Sequence, residues 1–130
     1  MKFCNQCGAT VSLQVPVDDD RERHICSACE TIHYLNPKVI VGCLPVVGDR
    51  ILLCRRAIEP RYGKWTLPAG FMENGESSAE GAARETWEEA AAKAIDQVLY
   101  RIFDVPHINQ VYLFYRCHLE NNAYGIGPES

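Results

Sequence analysis

The sequence has no apolar run of 18 residues, so nothing in it reads as a membrane span. Residues 1–20 lack the apolar core of a signal peptide, which makes the cytoplasm the expected compartment. Positive charge is scarce: 13 Lys and Arg stand against 17 Asp and Glu, a net charge of −4. A general nucleic-acid binder would normally be basic, so that partner class is disfavoured. Internal repeats and low-complexity tracts are absent as well. What remains is a chain of 130 residues, 47% of them hydrophobic. That length allows one or two small domains with a packed core.

Cysteine, by contrast, is plentiful, with seven in the chain. Cys4, Cys7, Cys26 and Cys29 form C-x2-C-x18-C-x2-C. This spacing is a strong zinc-ribbon signal, two thiolate pairs closing a tetrahedral Zn2+ site. A reducing compartment favours the metal over two disulfides. Residues 1–34 are therefore expected to be a ribbon: two short strands between the CxxC turns, joined by a polar turn at Asp18–Asp20. So short a stretch cannot bury a core, and the metal must supply the folding energy. Its three basic residues, Lys2, Arg21 and Arg23, against five acidic ones favour a structural role or a dimer contact over nucleic-acid binding. His24 and His33 flank the second pair and are expected to be spectators. Cys43, Cys54 and Cys117 lie in apolar runs and read as buried thiols.

Leu35-Asn36-Pro37 marks a linker, taken as residues 35–38, and residues 39–130 form the second domain. Residues 39–47 (VIVGCLPVV) read as a strand buried on both faces, and residues 51–56 (ILLCRR) as its hairpin partner. Residues 57–64 are a loop, followed by a turn at Ala69-Gly70. Ser77 and Glu80 form a capping-box pair, and a helix is predicted over residues 78–91. Strands are expected over residues 94–103 and 110–119.

Residues 70–92 concentrate the acid, with six Glu and one Arg. Gly70, Glu76, Arg84, Glu85, Glu88 and Glu89 stand at the spacing G-x5-E-x7-R-E-x2-E-E. Glu85, Glu88 and Glu89, at i, i+3 and i+4, share one helix face, where like charges repel. A hard cation such as Mg2+ relieves that repulsion, which makes this a metal-binding helix rather than a solvated face. Arg56, at the end of a strand, is a candidate for gripping phosphate through its guanidinium fork, ahead of Arg55 and Arg61. Tyr62, Trp65 and Tyr112 can stack on a base, although such aromatics more often belong to a core.

This spacing resembles the Nudix box, and the chain resembles the Nudix hydrolase family from residue 39 onward. One departure is Ala91, where the box normally has glycine. It implies a strained left-handed helix end or one further helical turn. The resemblance implies an α+β class with the Nudix fold, a mixed sheet between helices (an α/β/α sandwich), behind the zinc ribbon. It implies too that the domain stops short of the further strand and helix usual in the family. By the same likeness Glu85, Glu88 and Glu89 are the Mg2+ (or Mn2+) ligands, with the backbone carbonyl at Ala69-Gly70 as a further one. Arg84 orients Glu85, Glu76 fixes the loop-to-helix geometry, and Glu129, on a late loop, is the candidate general base. The activity implied is hydrolysis of a pyrophosphate joining a nucleoside to another group. A homodimer with the ribbon as contact suits the family.

Two ribbon-bearing Nudix groups are relevant. An NADH pyrophosphatase group carries a Gln-Pro-Trp core after the box, and residues 104–119 (DVPHINQVYLFYRCHL) lack it. A group acting on FAD or ADP-ribose resembles this chain at CRRAIEPRYGKWTLPAGFMENGES, at RETWEEA and at the GPES ending. An ADP-containing substrate such as FAD or ADP-ribose is the expectation. NADH pyrophosphatase-like activity and a non-catalytic nucleotide-binding module are the alternatives.

Overall fold

The computed structural model describes residues 1–57 and 63–126. The chain divides into two compact units, Met1–Asn36 and Pro37–Ser130.

The first unit is a three-stranded antiparallel sheet of β1 (Val11–Gln14), β2 (Arg23–Cys26) and β3 (Ile32–His33), with β2 in the middle. Its polar turn is organised by Asp19, which accepts from the Asp20 and Arg21 N–H groups and from Arg23 Nε at 3.0 Å. Few side chains are hidden: Cys4, Pro16, Cys26 and His33 are buried, while Leu13, Val15 and Val17 are exposed. A unit whose interior is mainly thiol and imidazole has no apolar core to hold it.

In the second unit β4 (Lys38–Val47) is central. It pairs antiparallel with β5 (Arg50–Ile51) and β8 (Ala69–Phe71), and parallel with β10 (Gln110–Leu119). Strand β9 (Ala94–Val105) flanks β10 at the edge of this mixed sheet. The short pair β6 (Cys54–Arg55) and β7 (Trp65–Thr66) lies apart. A parallel pair needs a crossover. It is supplied by helix α1 (Ser78–Ala90) together with β9. Val41, Cys43, Cys54, Ala82, Ala90, Ala92, Cys117 and Leu119 form the core between helix and sheet. Among the described residues α1 is the one α-helix, so they hold the mixed sheet and one helical layer of the expected sandwich. Among the described residues no helix is long and apolar enough to cross a membrane.

Three expectations need correction. The second hairpin strand breaks: β5 ends at Ile51, Leu52 N–H turns back to the Pro45 carbonyl at 3.0 Å, and extended structure resumes only at Cys54. The Ala69-Gly70 segment is a strand, not a turn. It lies against β4 because Gly42 has no side chain: a Cβ there would stand 2.5 Å from the Pro68 carbonyl oxygen. Strand β9 continues two residues beyond 103, to Val105.

Candidate functional site

Helix α1 starts with the capping box. Ser77 Oγ accepts the Glu80 N–H at 3.1 Å, and Glu80 Oε1 accepts the Ser77 N–H at 3.3 Å. It ends at Ala91, which takes the left-handed conformation (φ 47°, ψ 38°) and donates its N–H to the Trp87 carbonyl. Of the two helix ends expected, the strained one is adopted, at roughly 1–2 kcal/mol for a residue with a Cβ. The Ala90 carbonyl, at the end of the helix, is satisfied from further along the chain, by the Gly125 N–H at 2.6 Å.

Arg84 gathers the acidic groups. Its Nε and Nη2 fork onto Glu76 at 3.0 and 2.8 Å. Its Nη1 donates to Glu85 Oε1 at 2.9 Å and to Glu88 Oε2 at 3.2 Å. Its Nη2 also reaches the Phe71 carbonyl at 3.2 Å. One guanidinium therefore ties the loop before the helix, strand β8 and two helix carboxylates together. The Arg84 fork, helped by the Glu73 N–H, holds the Glu76 carboxyl down at about 2, and the same carboxylates push Arg84 up. Glu89 is buried and accepts the Ala69 N–H at 3.1 Å. Glu85 is also buried, and its carboxylate lies so close to Gly70 that a Cβ there would collide with it. Glu88 is the exposed member of the three.

Gly70 also lines a cavity of about 800 Å³, with Ile40, Arg56, Trp65, Phe71 and Tyr112. Arg56 and Glu89 line one further small crevice with Thr66. Trp65, weighed above as core, is 64% exposed at the cavity wall. Its β6–β7 ladder is only two residues long and leaves the indole outside the packed interior. Lys64 and Phe71 line the cavity too and escaped the sequence reading. The available signal was adjacency: Phe71 follows Gly70 in strand β8, and Lys38 Nζ sits 5.4 Å from its ring centroid. Arg61, Tyr62 and Glu129 lie outside the described residues. Glu120, the other late carboxylate, is paired with Lys93 at 3.0 Å.

In the ribbon the Sγ atoms of Cys4, Cys7, Cys26 and Cys29 all lie within 4.8 Å of one another. Cys4–Cys29 is 3.7 Å and Cys7–Cys26 is 3.4 Å. A tetrahedral zinc with Zn–S near 2.3 Å sets its sulfurs about 3.8 Å apart, so the donor set fits that ion. The Thr31 hydroxyl and N–H hold the Cys29 thiol down at about 6. The Cys29 and Ala28 N–H groups lower Cys26 likewise. Among the described residues this is the one group of His, Cys, Asp or Glu side chains drawn together so tightly. The helix carboxylates are spread along one turn instead. That suits a hard cation such as Mg2+, which binds oxygen and keeps positions for waters and substrate phosphates. His33, expected to be a spectator beside four cysteines, lies outside the group of ligand atoms but is buried, with Nε2 3.3 Å from Cys4 Sγ.

Comparison with known proteins agrees with this architecture. A family model described as Nudix N-terminal, a zinc ribbon, matches residues 2–35, and the NUDIX domain model matches residues 36–123. The chain belongs to the Nudix hydrolase family. A solved NUDIX hydrolase from Nitrosomonas europaea is 55% identical with a TM-score of 0.92, over 100% of this chain and 74% of that one. A NAD-capped RNA hydrolase NudC from Pseudomonas fluorescens is 35% identical over 113 residues, 82% of this chain and 37% of its own length. An ADP-ribose pyrophosphatase from Streptococcus suis is 26% identical with a TM-score of 0.61, over 73% of this chain and 68% of that one. The chain spans 22% to 37% of the length of such curated relatives.

Proposed function

We propose that the chain is a Mg2+-dependent pyrophosphatase acting on a nucleoside diphosphate joined to a second group, with an ADP-containing molecule such as FAD or ADP-ribose as substrate. The observation that carries this is the Arg84 fork. It ties Glu76, Glu85 and Glu88 to one guanidinium, Glu85 lies against Gly70, and Gly70 in turn lines the 800 Å³ cavity. Carboxylates held this way are ready to take a cation at the edge of a cavity large enough for a nucleotide.

Each residue then has a role. Glu85, Glu88 and Glu89 are the Mg2+ (or Mn2+) ligands. Bound there, the ion supplies charge neutralisation of the diphosphate, activation of water and stabilisation of the departing phosphate. Arg84 and Glu76 hold the ligands in register, as outer partners of metal sites do. Gly70 gives Glu85 its space. Arg56 grips a phosphate oxygen, and Trp65, Phe71 and Tyr112 offer faces for the base. Glu129 is the candidate general base that takes the proton from the attacking water. The four cysteines hold structural Zn2+.

A second reading has its own support. The curated relatives include NAD-capped RNA hydrolases, which points to the NADH pyrophosphatase-like alternative although the Gln-Pro-Trp core is lacking. The test is hydrolysis with Mg2+ of FAD, ADP-ribose, NADH, a NAD-capped RNA and a nucleoside triphosphate, with phosphatase added after reaction. AMP from FAD or ADP-ribose is the expected result. Preference for NADH or the capped RNA would move the substrate to the second reading. A folded protein that cleaves none of them would leave the nucleotide-binding module.

A further inference from the structure

The two CxxC turns of the ribbon are not equivalent. At the second, Cys26 Sγ accepts two backbone N–H groups, from Ala28 at 3.3 Å and from Cys29 at 3.4 Å. At the first, Cys4 Sγ accepts one, from Gln6 at 3.3 Å. The second approach to Cys4 comes from a side chain, His33 Nε2, at 3.3 Å. Strand β3 is only two residues long, and its pairing with β2, Ile32 opposite Ile25 and His33 opposite His24, turns the His33 ring inward while Tyr34 beside it is exposed. His33 is 7% exposed in a unit with almost nothing else to bury it.

We propose that His33 belongs to the zinc site: as the Nε2–H tautomer it donates to the Cys4 thiolate and replaces at the first turn the second N–H that Cys29 supplies at the second. This role presupposes a zinc ion on the four cysteines. Four thiolates around one Zn2+ carry a net charge of −2, and each N–H···S bond disperses part of it. Without His33, Cys4 would keep one N–H donor, and the first turn would hold its ligand less firmly than the second. His33 is thus a positioning residue of the metal site, acting through Cys4.

The test uses the full chain. The wild type should carry one zinc, and its release to a colorimetric chelator should speed up roughly 10-fold or more in His33→Phe, the scale on which outer partners of metal sites act. His33→Gln, which keeps an N–H donor near the sulfur, should recover part of that loss. It also keeps the test open if the phenylalanine variant does not fold. His24→Phe, on the opposing strand, should release zinc at the wild-type rate. In the cobalt-substituted protein, the thiolate-to-metal charge-transfer band should shift in His33→Phe and not in His24→Phe, which a loss of packing alone would not produce. A wild type without zinc would overturn the site itself. Bound zinc with equal release rates and an unmoved cobalt band in both His33 variants would overturn the role of His33 alone.

Discussion

The ribbon draws its four ligands from both ends of a 26-residue stretch and closes them into one cluster within 4.8 Å, whereas the box helix strings three carboxylates along a single turn. Around the thiols almost nothing apolar is buried, so the metal stands in for a core. Around the carboxylates the core is already complete, built from Val41, Cys43, Ala82, Ala90 and Cys117. A cation bound there, as proposed, would serve chemistry rather than folding. Their partners differ in the same sense. The sulfurs receive N–H groups from their own turns, which stay with the site. Two of the carboxylates share one guanidinium, and the third takes a backbone N–H from strand β8, so the helix face is held in order.

Stripping the zinc separates the two regions most strongly. Binding energies of structural zinc are on the order of 10 kcal/mol, more than a unit of this size can replace. A strong chelator should therefore abolish amide protection over Val11–Gln14 and Arg23–Cys26 and leave that of Lys38–Val47 unchanged, as read by hydrogen exchange. Protection retained in the ribbon would remove the distinction between the regions.

Glu89→Gln gives the converse. Turnover should fall at least ~100-fold, the upper end of what even outer partners of metal sites cost, with the thermal midpoint nearly unchanged. An active variant would remove Glu89 from the ligand set.

A smaller effect follows from Glu76. Its carboxyl is held at about 2 in the folded protein, below the usual 4.5. The folded value is the lower one, so the stability it contributes is present above pH 4.5 and is lost as pH falls toward 2. Urea midpoints across that window should drop less in Glu76→Gln than in the wild type. Arg84→Lys, which cannot fork, should narrow the same window and slow turnover by roughly 10–100-fold.

The smallest change expected is at Ala91. Ala91→Gly removes the left-handed strain and should stabilise the domain by about 1 kcal/mol, with activity unaltered. A loss of stability would mean that glycine's extra freedom in the unfolded chain outweighs the relief of strain.

Local rules made much of this legible. Residues 110–119 form the strand that their apolar and aromatic character predicts, and the Ser77–Glu80 pair starts the helix where a capping box should. The acidic spacing of the box places three carboxylates on one face because 3.6 residues make a turn. Long-range contacts were not legible. The break at Leu52 depends on a bond back to Pro45, and β8 forms only because Gly42 leaves room beside it. Trp65 looks like core by composition, yet its two-residue ladder leaves it at the cavity. His33 looked superfluous beside four cysteines. Its place is set by the short pairing of β3 with β2, which no spacing rule encodes.

The central claim, that the face of α1 carrying Glu85, Glu88 and Glu89 holds the divalent cation, is tested most directly by titrating Mn2+ into the zinc-loaded protein and following free Mn2+ by electron paramagnetic resonance. Binding in the wild type that weakens at least ~10-fold in Glu89→Gln and in Glu85→Gln is the result predicted. Binding equally tight in all three proteins would contradict it.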